Sequence, residues 1–349
     1  MLRAVKSCEQ LLVTWIVLVG PVLADYKEHI TSDFAARLKG KELFNYVNEI
    51  QSKFQAGESP VPCETIKTRL MNIKYMKKIG AVPTKEIKFE GEVPERFDAR
   101  EQWPDCVSIR LIRDQANCGA SWAVSAASAM SDRLCIRSKG KDQRLVSDAD
   151  ILTCCRKIGM SECGTGCSGG YDIKAWQYVL REGACSGGPY GAKNVCKPYP
   201  FYPCGRHQNQ TYYDECEEKP KTPNCRKMCQ ISSGQSYEKR IHAGMVYYVG
   251  RDEISIQKEI MTNGPVQASM ETYTDFLMYK SGIYEHVTGK LEGSQSVKIV
   301  GWGVENGTKY WIVANSWNTD WGEKGHFRIR RGTNECKIEG HVTAGIMNV

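Results

Sequence analysis

Cys118-Gly119-Ala120-Ser121-Trp122, preceded by Asp114-Gln115 and followed by the Ala- and Ser-rich run Trp122–Ser138, decides how this chain is read. Four of its five residues meet the signature Cys-Gly-[Ser/Ala]-Cys-[Trp/Tyr], whose second cysteine is a nucleophile. At the one remaining position, the fourth, where the thiol belongs, stands Ser121. The run after it reads as a helix opening at that residue. Serine is a good helix N-cap, and this role is expected of Ser121 ahead of a nucleophilic one. Farther on, Gly293-Ser294-Gln295-Ser296 leads into the apolar run Val297–Val300, and Asn315-Ser316-Trp317 comes after the apolar run Tyr310–Ala314.

The 349 residues suffice for one two-part domain plus processing segments. Lys6 precedes an apolar run, Leu11 to Ala24, broken only by Thr14, Gly20 and Pro21. Val22 and Ala24 suit the −3 and −1 positions of a signal-peptidase site, so residues 1–24 read as a secretory signal. A membrane anchor would want about 18 or more apolar residues. Sixteen cysteines agree with an oxidising route: Cys8 lies in the signal, Cys63 in the next segment, and the rest from Cys106 onward. Zinc is the competing explanation for Cys163-x3-Cys167 and Cys225-x3-Cys229, although zinc pairs usually recur as tighter C-x2-C knuckles. Asn209 and Asn306 head glycosylation tripeptides. The net charge of +7 is dispersed, with no basic stripe interleaved with aromatics, so nucleic-acid binding has no support.

Residues 25–92 lack the Gly and Trp punctuation of the later chain. Phe34, Leu38, Leu43, Val47, Ile50 and Phe54 are spaced as on one helical face, and Asp33 could cap that helix. Its place after a signal suggests a propeptide, with the join near Val93–Arg100. Helical stretches are predicted at Trp122–Arg137 and Asp172–Arg181. Strands are predicted at Met270–Tyr273, Val297–Val300, Tyr310–Ala314 and Phe327–Arg330, with Asn306-Gly307 marking a hairpin.

From residue 93 to 349 these features resemble the papain family of cysteine proteases. The resemblance rests on the Ser121 motif, Cys154-Cys155, Gly166-Cys167-Ser168-Gly169-Gly170, Ser281-Gly282-Ile283-Tyr284 and Asn315–Gly322. The cathepsin B branch is indicated by an insertion, Cys196 to Cys229, and by the 174 positions from Ser121 to Gln295, against about 130–150 in papain-like enzymes. The implied fold is α+β: a helical half and a β-barrel-like half with a cleft between, disulfide-rich, with an occluding loop. By resemblance Gln295 stands where the catalytic imidazole belongs, Asn315 would orient that imidazole, and Gln115 would donate to an oxyanion. The family needs a thiolate at a helix N-terminus beside an imidazolium. Here neither partner of that ion pair is present, and no histidine lies within eight residues of Gln295. Ser294 and Ser296 depart from the pattern with it, which reads as relaxed constraint.

The resemblance also assigns substrate-binding positions: Gly169, Gly170, Tyr171, Asp172, Ser269, Ser296, His341 and Trp317 around the cleft, with Arg206 and His207 on the loop. In the branch two loop histidines hold a substrate's terminal carboxylate, and Arg206 could grip the same group bidentately. The implied disulfides are Cys106–Cys135, Cys118–Cys167, Cys154–Cys225, Cys155–Cys163, Cys196–Cys229 and Cys204–Cys216; Cys185 and Cys336 are left over, paired or free. The expectation is a secreted or lysosomal homologue without peptidase activity. Its cleft would bind peptides, unfolded segments or cystatin-type inhibitors, and its propeptide would need an activating protease in trans. Weak hydrolysis through Ser121 and a disulfide-stapled adhesive module are the alternatives. No cofactor, metal, nucleic acid or, after processing, membrane is expected as a partner.

Overall fold

A computed structural model describes residues 37–349 apart from 81, 90, 156, 159 and 160. The signal-like run, Asp33 and Phe34 lie outside the described residues. Seven α-helices are described: α1 (Gly40–Ile50), α2 (Cys63–Arg69), α3 (Ala99–Gln102), α4 (Ser121–Arg137), α5 (Asp148–Cys154), α6 (Asp172–Arg181) and α7 (Glu253–Asn263). The main sheet is built from β1 (Phe54–Ala56), β2 (Thr84–Lys85), β3 (Phe97–Asp98), β4 (Ala243–Val249), β5 (Val266–Tyr273), β6 (Tyr279–Tyr284), β7 (Leu291–Glu305), β8 (Thr308–Ala314), β9 (His326–Arg330) and β10 (Val342–Met347). Its strand order is β1-β6-β9-β8-β7-β5-β10-β4-β2, with β3 pairing β7 at the side. This is the expected α+β arrangement, a helical half and then a β-rich half.

Helix α4 is rich in alanine and free of Gly and Pro, and it is buried on all sides from Ser121 to Cys135. Its serines would be costly there if unbonded. Ser125 and Ser131 return their hydroxyls to the carbonyls of Ser121 and Ala127, each at 2.6 Å. One hydrophobic core surrounds α4, and a second lies within the sheet half. Asn306 and Gly307 both take positive φ (50° and 75°), which closes β7 and β8 into a two-residue hairpin with Glu305 opposite Thr308. All six implied disulfides are present. Both cysteine pairs that could have mimicked zinc ligands are consumed in them. Cys185 and Cys336 are free and buried, and Cys63 is free and half-buried.

The amino-terminal helix is shorter than its apolar stripe implied. It ends at Ile50, where Gln51 turns extended and its Oε1 accepts the N–H groups of Lys53 and Phe54. Phe54 continues the stripe only in sequence; it is buried on β1, which pairs with β6.

Candidate active site

Ser121 opens α4 and is fully buried. It is not the cap expected of it: Ala120 holds the N-cap position, without a side-chain bond. The Ser121 hydroxyl faces β7 and accepts the Ser296 N–H at 3.1 Å. One residue earlier on β7, the Gln295 amide nitrogen donates to Asn315 Oδ1 (3.0 Å), Gln115 Oε1 (2.7 Å) and Ser316 Oγ (3.3 Å). Gln295, Asn315 and Gln115 thus share one hydrogen-bonded cluster, and Ser121 adjoins it through Ser296, the residue after Gln295. Gln295 holds Asn315 with a donor, as an imidazole N–H would, but its free Oε1 is an amide oxygen and takes no proton at neutral pH. Of the described histidines, His286 is bonded to Asp275, while burial and the neighbouring Arg100 push His326 down to about 4. Neither is hydrogen-bonded to Ser121.

The cleft is filled by the chain's own residues 69–76, which sequence reasoning missed. Met71 pairs with Ser294 through two backbone hydrogen bonds of 2.9 Å, so this segment runs antiparallel to β7. The Arg69 carbonyl takes one proton of the Gln115 amide at 3.0 Å, and the Cys118 carbonyl takes the other at 2.9 Å. The donor expected to face an oxyanion therefore holds a peptide carbonyl. Ile66 and Leu70 belong to the sheet-half core, whereas Met71 and Tyr75 belong to the core around α4, so the segment bridges the halves. Trp317 is buried against Trp321 and Phe276 beside it.

On the far side of Met71 lies the expected pocket. A Cβ on Gly169 (φ 119°) would sit 2.5 Å from the Tyr75 ring, and one on Gly170 would sit 2.5 Å from the Trp122 ring, so only glycine leaves room for the segment and the helix. Tyr171 meets Tyr75 edge-on at 5.0 Å. Asp172, buried, accepts the hydroxyls of Ser296 and Ser269, each at 2.7 Å, and these hydroxyls lie 3.0 Å apart. Burial pushes the Asp172 carboxyl up to about 6 even with both donors. Ser296 is thus part of a buried carboxylate cluster. His341 lines the same pocket, and burial with nearby Lys78 and Arg251 pushes it down to about 4.

The two loop residues part company. Arg206 points to solvent, bonded to Glu215 at 3.1 Å and lying over the Tyr212 ring. His207 is buried, with Nδ1 3.0 Å from the Asp320 carboxylate and Nε2 3.1 Å from the Cys204 carbonyl. Burial opposes its charge, but Asp320 and Asp114 outweigh burial and hold its pKa above the ordinary histidine value. Asn209 and Asn306 are both exposed.

Residues 93–346 match the family model described as papain family cysteine protease. The chain is 46% identical over 316 residues to a cathepsin B-like cysteine proteinase 1 of Haemonchus contortus, covering 90% of each chain. It is 45% identical over 321 residues to cathepsin B-like cysteine proteinase 5 of Caenorhabditis elegans, covering 89% of this chain and 91% of that one. Among solved structures, procathepsin B S9 of Trypanosoma congolense superposes with a TM-score of 0.75 at 35% identity, over 90% of this chain and all of the other.

Proposed function

The chain belongs to the papain family of cysteine proteases, beside cathepsin B-like relatives, and from that premise we propose that it binds peptides without hydrolysing them. The observation carrying this reading is the Ser121 hydroxyl, which receives a hydrogen bond from Ser296 N–H while the Gln295 nitrogen is turned to Asn315. Among the described residues, none at hydrogen-bond distance accepts its proton. Losing the nucleophile or the base of a comparable unit costs about 10⁶-fold in rate, roughly 8 kcal/mol. The cleft itself supports binding, since it holds an extended segment by backbone pairing to Ser294.

In this reading residues 1–24 direct the chain into the secretory pathway, toward secretion or a lysosome. Residues 25–92 are a propeptide removed by another protease, and residues 93–349 present the cleft to peptides, unfolded segments or cystatin-type inhibitors. Processed protein incubated with fluorogenic dipeptides and an epoxide probe for active-site thiols gives neither turnover nor label. Turnover at rates typical of the family ends the proposal.

A further inference from the structure

Between the inserted loop and the body of the protein lies a pocket of about 590 Å³, and none of residues 69–76 lines it. Its size is that of a small-molecule site. Tyr190 and Tyr213 line it, 39% and 44% exposed, with their rings edge-on at 5.3 Å. Tyr202 stacks on Tyr213 with centroids 5.9 Å apart. The charges around the pocket are matched within the protein. Arg113 donates to Asp148 at 2.6 Å, and Asp114 accepts the Asn318 amide at 2.9 Å and lies 3.7 Å from His207. What the pocket offers a ligand is therefore aromatic surface and neutral polar groups, among them Gln210, Thr211 and Thr319. A sugar ring suits both: its C–H groups meet the electron-rich faces of aromatic rings, and its hydroxyls donate and accept. Asn209 lines the same pocket and heads the tripeptide Asn209-Gln210-Thr211. Its side-chain amide has no hydrogen-bond partner among the described residues.

We propose that this pocket is a carbohydrate seat, in which the first sugars of an N-linked glycan on Asn209 lie against Tyr190 and Tyr213. The proposal rests on the secretory routing given above, the route on which such glycans are added. The loop itself delivers the sugar, so the contact is intramolecular and needs little intrinsic affinity. Gln210, next to the attachment residue, is held to the body by its Nε2 bond to Asn318 Oδ1 at 2.6 Å. The pocket's walls come from the loop at Asn209 and Tyr213 and from the body at Leu111 and Asp148, so a seated sugar also ties the loop down. Asn306 gives the contrast. It is exposed at the β7–β8 turn, and a Cβ on the neighbouring Gly307 would meet nothing within 4 Å.

The test uses the full-length chain secreted from eukaryotic cells and an amidase that cuts N-linked glycans from asparagine. Release is followed at each site by peptide mass, in the native and in the unfolded protein. At Asn209 the native protein releases its glycan about tenfold or more slowly than the unfolded one, as expected when one or two ring contacts shield the linkage. At Asn306 the two rates are close. Tyr190→Ser with Tyr213→Ser, both at exposed positions, brings Asn209 close to the unfolded rate while the melting temperature shows that the fold is kept. Native release at Asn209 as fast as in the unfolded chain overturns the seat, and so does protection that survives the double substitution. A glycan on Asn306 alone overturns the seat and leaves the secretory reading standing; a glycan on neither residue overturns both.

Discussion

Around Ser121 the fully buried side chains are neutral hydrogen-bonding groups: a hydroxyl, two glutamines and the indole of Trp122. One titratable group of unusual character is linked to Ser121 through Ser296: Asp172, whose carboxyl is held at about 6 by burial. Below about pH 4 it is protonated in both folded and unfolded chains. As pH rises from about 4 to 6, the unfolded carboxyl ionises while the folded one retains its proton, so stability is lost across this window and the penalty is constant above it. Asp172→Asn should therefore raise stability at pH 7 by up to about 3 kcal/mol relative to the parent, with little gain at pH 4. Melting curves at the two pH values test this, and equal effects at both would contradict it. Ser121 and Gln295 were legible from their motifs, because a five-residue signature and an aligned strand position are local. The Asp172–Ser269–Ser296 cluster was legible only as a list of wall positions. Its hydrogen bonds join α6, β5 and β7, and no sequence spacing encodes that convergence.

Among the elements, the inserted loop shows a reading half right. Its two disulfides formed as implied, since cysteine partners are fixed by the framework. Adjacent Arg206 and His207, however, face opposite environments, and the chain alone does not say which of two neighbours turns inward. The His207–Asp320 pair tethers this loop to the segment after Trp317. His207 has a raised pKa, so its contribution is fully present below the ordinary value of about 6.5 and is lost as pH rises through the folded value. Burial opposes ionisation of Asp320, yet the bond to His207 holds its pKa low, so that contribution is lost as pH falls through the folded value. The tether is firmest between about pH 4 and 6.5. His207→Gln should cost about 2 kcal/mol at pH 5.5 and clearly less at pH 8, read by thermal melting. A cost that grows toward pH 8 would contradict the assignment. The misjudged end of α1 has a similar origin: Phe54 keeps the helical spacing, but Gln51 caps a turn and sends it into β1.

Across the molecule, the amino-terminal segment is part of both cores, and Arg69–Met76 lies along the cleft, paired to Ser294. That occupancy was illegible because nothing in residues 69–76 names its partner; Met71 finds Ser294 across 223 positions of chain. The same geometry makes restoration a direct test of the proposed lack of hydrolysis. Ser121 already opens a helix, Asn315 already accepts from position 295, and Gln115 already donates to a carbonyl in the cleft. Hydrolysis is missing, in this reading, because the nucleophile and its base are missing. The decisive experiment tracks the length of purified full-length protein at acidic pH, parent beside the double variant Ser121→Cys with Gln295→His. The parent is expected to stay intact, while the double variant shortens itself to a form beginning near Val93 and takes up the epoxide label. Self-shortening of the parent, in a preparation shown to lack other proteases, or a double variant as inert as the parent, would contradict this reading.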